Sequence, residues 1–216
     1  MRQPSFKAVI IFGAITAAVA WFALALQLYL MIANTPGNGL TPLGAVWRFL
    51  IFFTILTNLL VAICLTAFLF RPAPPWSFLT KPSMMAATAM YILVVGVVYN
   101  TLLRGIVLPE GMAKLADELL HVVAPLLYIL WWILLAPKAR LPWRNVFPWL
   151  LFPLFYLIYA LVRGAIENFY AYPFINVTKI GYDGVLLNAL GLMVAFIIIG
   201  SVFILMTRIL TRERPQ

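Results

Sequence analysis

The sequence predicts an all-α fold, a polytopic membrane bundle of six transmembrane helices making a single domain over residues 1–216. Three observations carry this. The chain is 65% hydrophobic and only 10% charged, with a mean hydropathy of +1.04, whereas soluble domains carry roughly 25% charged residues. Six segments supply the uncharged apolar length, about 20 residues, that a helix needs to cross a bilayer. The fifteen basic residues fall unevenly between the two sets of loops, as the charge rule for membrane insertion requires.

The first span runs over Ala8–Ala33 behind Arg2 and Lys7. Its uncharged run is far longer than the 7–15 residues or so of a cleavable signal core, so it is expected to remain as a helix. Asn34 to Gly44 is uncharged and rich in Gly and Pro, and reads as an open connection. The second span follows over Ala45–Phe70, then a stiff, proline-punctuated turn through Arg71-Pro72-Ala73-Pro74-Pro75-Trp76. The third covers Pro82–Leu103 and the fourth Leu119–Ala136. Another short turn, Pro137 to Trp143, leads to the fifth over Val146–Val162, and the sixth spans Gly184–Thr207. Gly13, Ala14, Ala17 and Ala18 on the first helix, and Gly191 with Ala195 on the sixth, form small-residue faces suited to close helix packing. Pro125 and Pro153 are expected to kink or adjust their spans. The aromatic run of Phe169, Tyr170, Tyr172, Phe174 and Tyr182 suits an interfacial belt, or else a cover over a cavity.

Arg2, Lys7, Arg71, Lys81, Lys138, Arg140, Arg144, Arg208, Arg212 and Arg214 fall on one side. Arg48, Arg104, Lys114, Arg163 and Lys179 fall on the other, together with five of the six acids. Lys and Arg concentrate in short cytoplasmic loops, which puts both termini in the cytoplasm of a multi-pass cell-membrane protein. The cations flank spans instead of forming a patch, which argues against nucleic acid and for membrane lipids as partners. Cys64 is the single cysteine. There is no His/Cys/carboxylate cluster, so neither a metal nor another cofactor is expected. No internal repeat is evident, which counts against an inverted-repeat transporter.

The polar residues inside the membrane are the functional signal, because such side chains are costly in lipid and normally face a protein interior. Counting about 1.5 Å per residue from the outer charges puts Thr54 roughly 9 Å deep, Asn188 about 8 Å, Asn100 about 6 Å and His121 about 5 Å. One outer slab across four helices holds them. Thr54, Thr57, Asn58 and Val61 follow i, i+3, i+4, i+7 spacing, one stripe expected to face the bundle. Asp117 and Glu118 precede His121, the only histidine, by four and three positions, close enough along a helix to fix the imidazole's tautomer. Plainer readings exist for each: a threonine hydroxyl returned to its own helix, asparagines as interhelical glue, acids complementing a helix dipole.

Certain segments carry a resemblance. Phe52-Phe53-Thr54-Ile55-Leu56-Thr57-Asn58-Leu59-Leu60, preceded by Trp47-Arg48-Phe49-Leu50, is similar to the second-span signature of the bacterial six-span proteins related to the androgen-induced membrane hydrolases. Leu119-Leu120-His121-Val122-Val123-Ala124-Pro125 resembles their histidine segment, and Tyr172-Pro173-Phe174 a motif before their last span. The spacing from His121 to Pro125 is one residue shorter than in that family, and Thr57 and Asn58 replace residues of different character. The eukaryotic relatives are intramembrane threonine hydrolases of fatty-acid esters of hydroxy fatty acids. The resemblance implies Thr54 as nucleophile, His121 as its base and a lipid-like ester as substrate.

A hydroxyl becomes a useful nucleophile once a neutral imidazole within reach takes its proton. Asn58, Asn100 or Arg104 would donate to the developing oxyanion, and Asn188 is a further substrate-binding candidate. A site beneath the outer interface would admit an acyl chain from lipid and water from outside. Two other functions fit the same residues: a transporter or small-molecule or lipid-binding protein, and a non-catalytic structural bundle.

Overall fold

The computed structural model describes residues 5–71, 74–106 and 108–212. Arg2 and Arg214 of the inside cations, and Pro72 and Ala73 of the first inside turn, lie outside the described residues. Among the described residues, six helices are long and apolar enough to cross a membrane: Phe6–Ala33, Phe53–Phe70, Pro82–Leu103, Gly111–Leu134, Trp143–Glu167 and Val177–Thr211. Among the described residues there is no strand. The chain divides into two compact units, Met1–Lys138 and Ala139–Gln216.

In the first unit, α1 (Phe6–Ala33) starts where the Ser5 hydroxyl accepts the amide of Ala8 at 3.2 Å, a capping arrangement. Its buried stripe is Gly13, Thr16, Ala17, Ala20, Ala23 and Leu24. Ala14 and Ala18 are exposed, so the small-residue face differs from the expected one. The observed stripe keeps helical i, i+3, i+4 spacing, while positions 14 and 18 lie further round the cylinder. Gly13 permits close packing, since a Cβ there would sit 3.1 Å from Trp131 Nε1, which donates to Val9 O.

The expected Ala45–Phe70 span is two helices, α2 (Pro42–Phe49) and α3 (Phe53–Phe70). Thr41 caps α2 through its hydroxyl, and Phe52 is extended, with φ −85° and ψ 128°. No Gly or Pro marks this break. Phe49 and Ile51 are buried beside it, so tertiary packing overrides a continuous apolar pattern.

The third span is α4 (Pro82–Val98) closed by a π-helical turn at Tyr99–Leu103. The fourth begins a helix earlier than hydropathy suggests, with α5 (Gly111–Glu118). A second π-turn at Leu119–Val123 follows, then α6 (Ala124–Leu134). α1 packs on α3 and α6, and α4 packs on α3 and α6. Tyr128, Trp131 and Trp132 are fully buried with Leu65, Met85 and Met90.

In the second unit, α7 (Leu151–Glu167) follows a short helical segment, Val146–Trp149, and carries Pro153 in its first turn. α8 (Val177–Arg212) is interrupted at Gly181, whose φ of 68° and ψ of 172° leave the helical region. Both spans extend beyond the apolar windows read from sequence, because polar end turns remain helical. Asn176 Oδ1 accepts the amide of Thr178 and starts α8. Gly191, expected on a packing face, is exposed with nothing near its Cβ position. Near the far end of α8, Arg208 Nε donates to Leu141 O at 3.0 Å and the guanidinium lies over the Trp143 ring.

Candidate functional site

The polar groups of the first unit converge on the two π-turns, which meet each other through Tyr99, Asn100 and His121, the second also packing on α3. A π-turn closes i→i+5 hydrogen bonds and is common at functional sites; here Arg104 N–H reaches Tyr99 O at 2.7 Å, and Ala124 N–H reaches Leu119 O. Pro125 explains part of the second turn. Lacking an N–H, it cannot take the carbonyl of His121, four residues earlier. That carbonyl instead meets Asn100 Nδ2 at 3.5 Å. Gly96 makes the approach possible, since a Cβ there would lie 3.4 Å from His121 O and 3.5 Å from Pro125 Cβ.

His121 is held on three sides. Its Nδ1 lies 2.9 Å from Asp117 O and 3.1 Å from Asp117 Oδ1. Both neighbours are acceptors, so Nδ1 carries a proton and Nε2 is the other ring position; among the described residues Nε2 makes no hydrogen bond. Tyr99 donates its hydroxyl to Asp117 Oδ2 and stacks on the imidazole, the ring centroids 3.8 Å apart and the planes 12° from parallel. The His121 and Asp117 side chains are only 15% and 19% exposed.

At the edge of this cluster Arg104 makes a forked pair with Glu118, at 2.7 and 3.0 Å. Its Nε donates to Asn100 Oδ1 at 2.8 Å, and its guanidinium lies 5.3 Å from the Tyr99 ring centre. The Glu118 carboxylate raises the guanidinium's pKa above its ordinary value, keeping Arg104 charged. Asn100, Arg104, Asp117, Glu118 and His121, five residues singled out from sequence, therefore form one network.

Thr54 sits in the first turn of α3 and is 8% exposed; Thr57, Asn58 and Val61 below it are fully buried. The polar stripe thus faces inward. Asn58 connects it to the histidine segment: Nδ2 donates to Thr54 O at 2.9 Å and to Leu120 O at 3.1 Å. One amide nitrogen joins the nucleophile candidate's residue to the residue preceding His121. The break at Leu50–Phe52 gives Thr54 something that a continuous span would not, the positive end of a helix dipole.

The expected oxyanion donors are already engaged. Asn58 gives its amide to two carbonyls, Asn100 to Gly96 O at 2.7 Å, and Arg104 to Glu118. Asn188 belongs to the second unit, where its Nδ2 donates to Phe174 O at 3.0 Å. In that unit Tyr172 stacks on Phe174, Tyr170 covers Gly164, and Arg163, 4% exposed, bonds Glu167 and Tyr159. Of the aromatic run, Tyr172 is buried, Phe169, Tyr170 and Phe174 are half-buried and Tyr182 is exposed.

Tyr99 was not legible as a site residue. A tyrosine near the end of an apolar helix has the appearance of an interfacial anchor, and nothing local links it to Asp117, 18 residues on. Among the described residues no group of three His, Cys, Asp or Glu is arranged to hold a metal. Cys64 is buried with its Sγ 3.8 Å from Thr88 Oγ1. The chain matches no protein-family model, no curated protein and no solved structure.

Proposed function

We propose that this six-span protein is an intramembrane hydrolase of lipid or fatty-acid esters, with Thr54 as nucleophile and His121 as general base, its termini cytoplasmic and its site opening to the outer leaflet. The observation that carries the reading is the geometry of His121: Nδ1 lies against two acceptor oxygens of Asp117, which leaves Nε2 as the ring nitrogen that would take a proton from the nucleophile. A carboxylate that orients an imidazole in this way is the recurring third member of nucleophile–base sites.

In the proposed reaction Thr54 Oγ attacks the ester carbonyl while its proton passes to His121 Nε2, directly or through one water. The tetrahedral intermediate collapses with cleavage of the ester C–O bond, and the imidazolium returns the proton to the leaving alkoxide. Water, activated by the same nitrogen, then releases the acid from acyl-Thr54. Negative charge on the intermediate is favoured beside the first turn of α3.

Purified protein assayed against a panel of acyl esters tests the proposal. Wild type is expected to turn over lipid-like esters, Thr54→Ala to fall to background, and His121→Ala to lose about 10²–10⁴-fold. Full activity in Thr54→Ala excludes the nucleophile assignment.

A second reading, a protein that binds or passes a small polar molecule, has one observation in its favour. Thr57 Oγ1 and Asn58 Oδ1 are buried with no hydrogen-bond partner among the described residues, whereas buried polar atoms are normally satisfied. It predicts solute flux in proteoliposomes that Thr57→Val reduces and Thr54→Ala leaves unchanged.

A further inference from the structure

We infer that Tyr99 is a positioning residue for His121, fixing both the tautomer and the orientation of its ring. The catalytic consequence rests on the reading of His121 as a base; the positioning itself does not. Asp117 has two carboxylate oxygens, and each is assigned: Oδ1 to His121 Nδ1 and Oδ2 to the Tyr99 hydroxyl. A carboxylate held by two donors cannot turn about its own bond without breaking one of them. Tyr99 thus fixes the carboxylate that, together with the Asp117 main-chain carbonyl, holds the imidazole.

The stack adds a second constraint. Exchanging Nδ1 and Nε2 requires the imidazole to rotate about its Cβ–Cγ bond, sweeping perpendicular to its own plane. A phenol ring lying 3.8 Å away and 12° from parallel blocks that sweep on one face. Tyr99 is itself held: it is 9% exposed, begins the π-turn that ends the third span, and lies beside the Arg104 guanidinium, which Glu118 and Asn100 anchor. The π-turn matters because the extra residue it inserts changes which side chains point across to the fourth span.

His121 is the only histidine, so full-length protein labelled with ¹⁵N,¹³C-histidine gives a single imidazole spin system that needs no assignment. In nanodiscs, at a pH where the ring is neutral, wild type is expected to show the Nδ1–H tautomer, with ring C–H protons shifted by the stacked phenol. Tyr99→Phe keeps the stack and removes the hydroxyl, and is expected to shift the population towards Nε2–H. Tyr99→Leu is expected to remove the ring-current shift as well. Histidine signals in Tyr99→Phe that superimpose on wild type would overturn the proposal, and that conservative variant keeps the test valid if Tyr99→Leu fails to fold. Where hydrolysis is measurable, Tyr99→Phe is expected to lower kcat about 10- to 100-fold with KM little changed. A shifted spectrum in a protein with no hydrolysis leaves positioning standing and removes the hydrolase. Thr54-dependent hydrolysis with an unshifted spectrum does the reverse.

Discussion

Asn58 is the residue on which the site's geometry turns. Its amide group spans from Thr54 O to Leu120 O inside a fully buried environment. Asn58→Leu keeps the volume and removes both bonds, leaving Leu120 O without that donor. A loss of about 1–3 kcal/mol is expected, read as a lower unfolding midpoint in detergent; an unchanged midpoint would show that the bridge contributes nothing. Asp117→Asn tests a different property of the cluster. An amide can present an N–H where the carboxylate presents Oδ1, which favours the wrong imidazole tautomer, so hydrolysis is expected to fall by orders of magnitude while the fold persists. Hydrolysis near the wild-type rate would separate Asp117 from the function of His121. These polar residues are legible in the sequence because hydrocarbon-length segments make any Asn, Thr or His conspicuous. Tyr99 is not, since its chemistry arises only from contact with Asp117 and His121 across a helix pair.

The elements show what hydropathy reads well and what it misses. Each of the six apolar segments corresponds, among the described residues, to a helix long and apolar enough to cross a membrane, because length and transfer energy dominate that signal. The break before α3 is invisible in Leu50-Ile51-Phe52-Phe53, a run with no turn residue, and it lies beside the buried Phe49 and Ile51. The π-turn at Leu119–Val123 has a partial marker in Pro125; the one at Tyr99–Leu103 has none. In the second unit the close approach at Gly164 makes a sharp prediction. A Cβ there would fall 2.2 Å from the Tyr170 ring, so Gly164→Ala is expected to destabilise by about 1–3 kcal/mol. Adding Tyr170→Ala should remove most of that penalty, and the coupling in a double-mutant cycle checks it. Strict additivity would mean that the two side chains do not meet.

At the scale of the whole molecule, the proposed orientation, with cytoplasmic termini, would put the Tyr99–Asp117–His121 cluster towards the outer face. Lys114, in α5 just before that cluster, is expected outside. Lys114→Cys in a Cys64→Ala background should react with a membrane-impermeant maleimide in intact cells; labelling only after permeabilisation would invert the topology. An outward site beneath the interface would suit an ester whose acyl chain stays in lipid while water comes from outside. Thr54 at the start of α3 and His121 in the π-turn joined to it through Asn58 and Leu120 are the parts that such a hydrolase requires. The most direct test is to react the protein in native membranes with a fluorophosphonate and map the adduct by peptide mass spectrometry. The expected adduct is on Thr54 and is lost in His121→Ala. An adduct on another residue, or equal labelling of Thr54→Ala, would contradict the assignment.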